Sequence, residues 1–114
     1  MLGQIRILVY RKGESSPFIA WLTALKDRDG AAIVRARLAR LRLGNFGDAR
    51  SVGGGVMELK INHGPGYRVY FGRRESTIVV LLCAGDKSSQ ARDIATAKEY
   101  WRICGDDAKS ADEY

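Results

Sequence analysis

The order of apolar and polar positions divides the chain into short elements. Residues 4–10, "QIRILVY", alternate loosely and are rich in β-branched side chains, so they predict a strand. A polar loop follows. Ser16 and Pro17 then open a helix, with Ser16 as the cap and Pro17 at its first position. Phe18, Trp21, Leu22 and Leu25 recur at helical spacing and predict its core face. "RDG" (28–30) reads as a break. Residues 31–44, "AAIVRARLARLRLG", read as a second helix ended by Gly44.

That second helix carries two apolar faces. Val34, Leu38 and Leu41 share one, while Ala32, Ala36, Ala39 and Leu43 share the opposite one. Arg35, Arg37, Arg40 and Arg42 flank them, which predicts a helix packed on both sides with basic edges. Residues 45–55, "NFGDARSVGGG", read as a long loop. "VMELKINH" (56–63) and "YRVYFGRR" (67–74) predict paired strands joined through "GPG". The near-continuous apolar run 77–85, "TIVVLLCAG", predicts a central strand covered on both faces. The loop "GDKSSQ" then enters a last helix, 91–104, whose buried stripe is Ile94, Ala97 and Trp101. The predicted order β-α-α-β-β-β-α is α+β: a mostly antiparallel sheet of about four strands, with a helical hairpin on one face.

Strand alternation sorts the hairpin chemically. Met57, Leu59, Ile61, Tyr67, Val69 and Phe71 point beneath the helices. Glu58, Lys60, Arg68 and Tyr70 point the other way, and Lys87 follows the central strand. Two readings of that charged face stand open: a cross-strand charge ladder on a solvated surface, or cations preorganised for a phosphodiester. In the second, Glu58 is a candidate base and Tyr70 an orienting or stacking group. Arg73 and Arg74 end the hairpin and, with His63 in its turn and Tyr70, are candidate RNA contacts. His63 otherwise reads as a solvent-exposed loop residue.

Composition adjusts this picture in four ways. At 114 residues, with 46% hydrophobic content, the chain predicts one globular domain. No apolar stretch approaches the ~20 residues of a membrane span, and Arg6 interrupts the first apolar run before it resembles a secretory leader. The expected compartment is the cytoplasm. Cys83 reads as a buried thiol, and two distant cysteines with one histidine give no metal-ligand spacing. The net charge is +6, but the tail "GDDAKSADEY" (105–114) is acidic, leaving residues 1–104 at +9. A body this basic fits a polyanionic partner, nucleic acid or acidic protein, or else a surface kept basic for solubility. The tail is expected to be disordered beside a 1–104 domain.

"ELKINHGPGYRVYF", "IVVLLCAGDKSSQ" and "DIATAKEYW" together resemble the RelE/ParE superfamily of type II toxins, most of all its HigB-like, phage Gp49-like branch of addiction-module killer proteins. The resemblance covers roughly residues 4–103. It implies a RelE-like domain and a ribosome-dependent, metal-independent endoribonuclease that cuts mRNA in the ribosomal A site without a cofactor. It also implies neutralisation by a cognate helix-turn-helix, HigA-like antitoxin. By position, Lys60, Arg68 and Lys87 match the superfamily's basic cluster. Glu58 stands where some relatives have lysine, and Gln90 or Asp93 where some have tyrosine, so these three are candidate participants in the chemistry. Arg35 and Arg42, on one flank of the second helix, are candidate antitoxin contacts. The rivals are a ParE-like gyrase poison without nuclease activity, and a degenerate toxin that only binds its antitoxin.

Overall fold

The computed structural model describes residues 4–105 and 107–114; Asp106 of the tail and residues 1–3 lie outside the described residues. The elements are β1 (Arg6–Tyr10), α1 (Pro17–Ala24), α2 (Arg28–Arg42), β2 (Ala49–Gly53), β3 (Val56–Ile61), β4 (Tyr67–Arg74), β5 (Ile78–Gly85), α3 (Gln90–Cys104) and β6 (Ala111–Glu113). Short 3-10 turns, Lys87–Ser89 and Ala108–Ser110, precede α3 and β6. The fold is α+β. Among the described residues its sheet has six strands in the order β2-β3-β4-β5-β1-β6, with the β5–β1 pair parallel and the others antiparallel.

The apolar patterns explain the layers. Phe18, Leu22, Val34, Leu38 and Leu41 of α1 and α2 pack on Leu59, Ile61, Val69 and Phe71, as the alternation predicts. The other face of the sheet packs Val80 and Leu82 against Ala97 and Cys104 of α3. β5, between β4 and β1, is therefore covered on both sides. Trp101 of α3 lies flat on the hairpin only because position 72 is glycine: a Cβ there would sit 2.5 Å from the indole Cε3.

Local signals start and stop the helices. The Ser16 side chain accepts from the Ile19 amide at 3.2 Å, with Pro17 at the first position. α2 begins earlier than its sequence predicts. Asp27 caps it by accepting from the Gly30 amide at 2.9 Å, so "RDG" forms the first turn. The glycine fits because a Cβ at position 30 would meet Asp27 Oδ2 at 2.5 Å and Tyr67 Cε2 at 2.6 Å.

Three further expectations are corrected. α2 packs on one side only: Ala32, Ala36 and Ala39 are exposed, and Leu43 is 64% exposed. Within 45–55 an edge strand, β2, pairs antiparallel with β3. Its residues are half-buried or exposed, so the ladder rather than an apolar face holds it. Residues 111–114 of the acidic tail are not free chain. β6 extends the edge of β1; Arg6 pairs with Glu113, and Arg11 Nη1 lies 3.1 Å from Asp112 Oδ1. Tyr114 then seats its ring edge-on to Phe18 and beneath the Arg42 guanidinium. Charge complementarity between a basic β1 edge and an acidic segment fixes what composition alone reads as disorder.

Candidate functional site

The polar side chains of the hairpin do face away from α1 and α2, but that face is not open. The first turn of α3 closes over it, leaving Glu58 2% exposed, Arg68 6% and Tyr70 fully buried. Lys60 stays exposed. A solvated charge ladder is thereby excluded for Glu58 and Arg68. Burying them costs free energy unless donors and charges surround them.

Glu58 is the hub. Its Oε2 accepts from the Tyr70 hydroxyl and from Gln90 Nε2, each at 3.0 Å. Its Oε1 accepts from Arg50 Nε at 3.0 Å, and Arg68 Nε lies 4.0 Å from Oε2. Burial works to raise the Glu58 pKa. The hydrogen bonds from Gln90, Arg50 and Tyr70 outweigh it and hold the carboxyl below its ordinary value. A carboxylate with both oxygens engaged and a lowered pKa is a weak base and a strong anchor. Tyr70 shifts the other way: burial, then its bond to Glu58, raises its pKa. It is a buried donor, not a stacking platform.

Arg68 donates from Nη1 to the Gly66 carbonyl at 2.6 Å, and its buried Nε has no hydrogen-bond partner among the described residues. Gly66 is the crossing point. A Cβ there would lie 2.9 Å from Arg68 Nη1 and 3.6 Å from the Lys87 Cβ, and its φ of +79° suits glycine. The Lys87 amide donates to Pro65 O at 3.3 Å, tying the 3-10 turn to the hairpin turn. Lys60 is the cross-strand partner of Arg68, and its carbonyl accepts from Arg37 Nη1 at 3.1 Å. The β3–β4 ladder thus sets Lys60 opposite Arg68, and the turn before α3 brings Lys87 to Gly66 beside Arg68.

Asp93 sits beside this cluster. The Ser89 hydroxyl donates to its Oδ2 at 2.5 Å, and its carboxylate lies where a side chain on Gly85 would be. Its charge adds to the upward shift of Tyr70 and, after burial, to that of the Cys83 thiol, pushed up to about 12.

Other predicted residues fall elsewhere. Arg74 is buried and donates to the carbonyls of Gly105 (2.7 Å) and Asp107 (2.8 Å), so it binds the end of α3 and not RNA. Arg73 points to the α1–α2 face, 4.5 Å over the Phe46 ring, and donates to Ser76 O. His63 belongs to a second cluster. Asp27 Oδ2 is 3.2 Å from its Nε2 and accepts from the Tyr67 hydroxyl at 2.8 Å. Burial and then Asp27 push Tyr67 up to about 12. This cluster pins the hairpin turn to the start of α2. Arg35 is exposed on α2, whereas Arg42 is half-buried over Tyr114.

Sequence reasoning misses Arg50. It stands in a stretch without apolar alternation, and only the β2–β3 ladder, which places it opposite Glu58, reveals it.

No family model matches the chain. Over 81 residues, 71% of this chain and 82% of the relative, it is 49% identical to an uncharacterized protein of Haemophilus influenzae.

Proposed function

We propose, from the premise that the chain belongs to one family with that Haemophilus influenzae protein, that its fold is a RelE-like domain and its activity that of a type II toxin. It cleaves mRNA on the ribosome, in the cytoplasm, and a HigA-like antitoxin neutralises it. The observation that carries this reading is that Lys60 lies opposite Arg68 in the β3–β4 ladder while Arg68 and Lys87 meet at Gly66. None of the described helices is long and apolar enough to cross a membrane, which is compatible with this compartment.

The chemistry follows from the charges. The RNA 2′-oxygen attacks the adjacent phosphorus and loses its proton to water. The bond from phosphorus to the 5′-oxygen breaks, and that oxygen gains a proton from water. The products are a 2′,3′-cyclic phosphate and a 5′-hydroxyl. Extra negative charge develops on the nonbridging oxygens in between. Lys60 and Lys87, both exposed, contact the phosphate; the buried Arg68 supplies fixed positive potential, which the low local dielectric strengthens. Glu58 holds this arrangement in place and does not take the proton.

A translating extract with a defined reporter mRNA tests the reading. The purified protein is expected to cut the message only while it is being translated. Lys60→Ala with Lys87→Ala is expected to slow cutting at least about a hundredfold. An intact message at stoichiometric protein would overturn it.

A further inference from the structure

We infer that Arg50 is a phosphate-contacting residue of the same site, aimed by Glu58. This rests on the RNA-cleavage reading above. Arg50 is the second residue of the edge strand β2, directly across the ladder from Glu58 and on the same face as Lys60 and Arg68. The two ends of the pair have opposite surroundings: the Glu58 side chain is 2% exposed and the Arg50 side chain 64%. Only Nε of Arg50 is engaged, by Glu58 Oε1 at 3.0 Å. Among the described residues its Nη1 and Nη2 make no hydrogen bond. A guanidinium fixed through Nε presents its two outer nitrogens as a planar fork, the geometry that grips phosphate through two parallel bonds.

The bond to Glu58 has a structural part, since Arg50 Nε satisfies the buried Oε1 while Tyr70 and Gln90 satisfy Oε2; that bond uses Nε alone and gives no task to the two outer nitrogens of an exposed guanidinium. Glu58 and Lys60 are two residues apart on one face of β3. With ordinary strand spacings, the Arg50 and Lys60 Cα atoms are about 8 Å apart. Two long side chains rooted at that separation reach a single phosphate group. Arg68, almost wholly enclosed, needs such an outer cation to complete the grip on the substrate.

The test is single-turnover cleavage on ribosomes carrying a defined A-site codon, with wild-type protein, Lys60→Ala, Arg50→Gln and Arg50→Lys. Arg50→Gln is expected to lower the rate constant at saturating protein at least about tenfold. Arg50→Lys, which cannot engage Glu58 and fork a phosphate together, is expected to recover only part of it. A role only in holding Glu58 would let Arg50→Lys, which keeps a cation beside Oε1, recover the wild-type rate constant, and that result would overturn the assignment. If Lys60→Ala is slow and Arg50→Gln keeps the wild-type rate, the assignment of Arg50 is wrong while the nuclease reading stands. If wild-type protein does not cut, both fall.

Discussion

Glu58 shows how one residue changes meaning between sequence and structure. As a free strand carboxylate it is a candidate base; enclosed by Tyr70, Gln90 and Arg50 it becomes an anchor. Removing it leaves buried donors unpaired, so Glu58→Ala is expected to cost about 3 kcal/mol in denaturant unfolding. Arg68→Ala is not a neutral surface change either, because that side chain is buried; about 2 kcal/mol is expected. The pH dependence has a definite sign. The folded pKa of Glu58 lies below its unfolded value, so its contribution is complete above the unfolded pKa and is lost as pH falls through the folded one. The stability gap between wild type and Glu58→Gln is therefore expected to be wide near neutral pH and to narrow below about pH 4. A gap that holds constant into acid would mean that Glu58 is not a charged anchor.

Among the elements, β6 makes the most exposed prediction. It covers the edge of β1 through three paired positions, two ion pairs and the Tyr114 ring. Deleting residues 111–114 is expected to lower the thermal midpoint and to promote self-association through the uncovered edge. A truncated chain that melts and elutes like the full one would show that the strand contributes nothing. The elements legible in the sequence are those with strong periodicity or an apolar run: β1, α1, the body of α2, the β3–β4 hairpin, β5 and α3. β2 and β6 were not legible, because neither buries a face of its own; one depends on a ladder and the other on distant charges. The same limit governs the site. Lys60, Arg68 and Lys87 stand out by type and alternation. Arg50 does not, and the burial of Glu58, Arg68 and Arg74 depends on where the two ends of α3 come to rest.

At the scale of the whole molecule, Asp112 and Glu113 engage Arg11 and Arg6 at the β1 edge, while Tyr114 sits under Arg42 and Arg35 stays exposed on the same flank of α2. Reversing Arg35 and Arg42 to glutamate is expected to slow association with the antitoxin and flatten its salt dependence. Arg42 also sits over Tyr114, so Arg35→Glu alone separates docking from loosening of the tail. An unchanged association rate in both would place the antitoxin on another surface. The central claim is that this basic cluster cuts messages on the ribosome, and mapping mRNA 5′ ends after induced expression tests it most directly. The account predicts new 5′-hydroxyl ends within translated codons, present with the wild-type chain and absent when Lys60 and Lys87 are both alanine. Growth arrest with intact messages and induction of the DNA-damage response would contradict it and point to a gyrase poison.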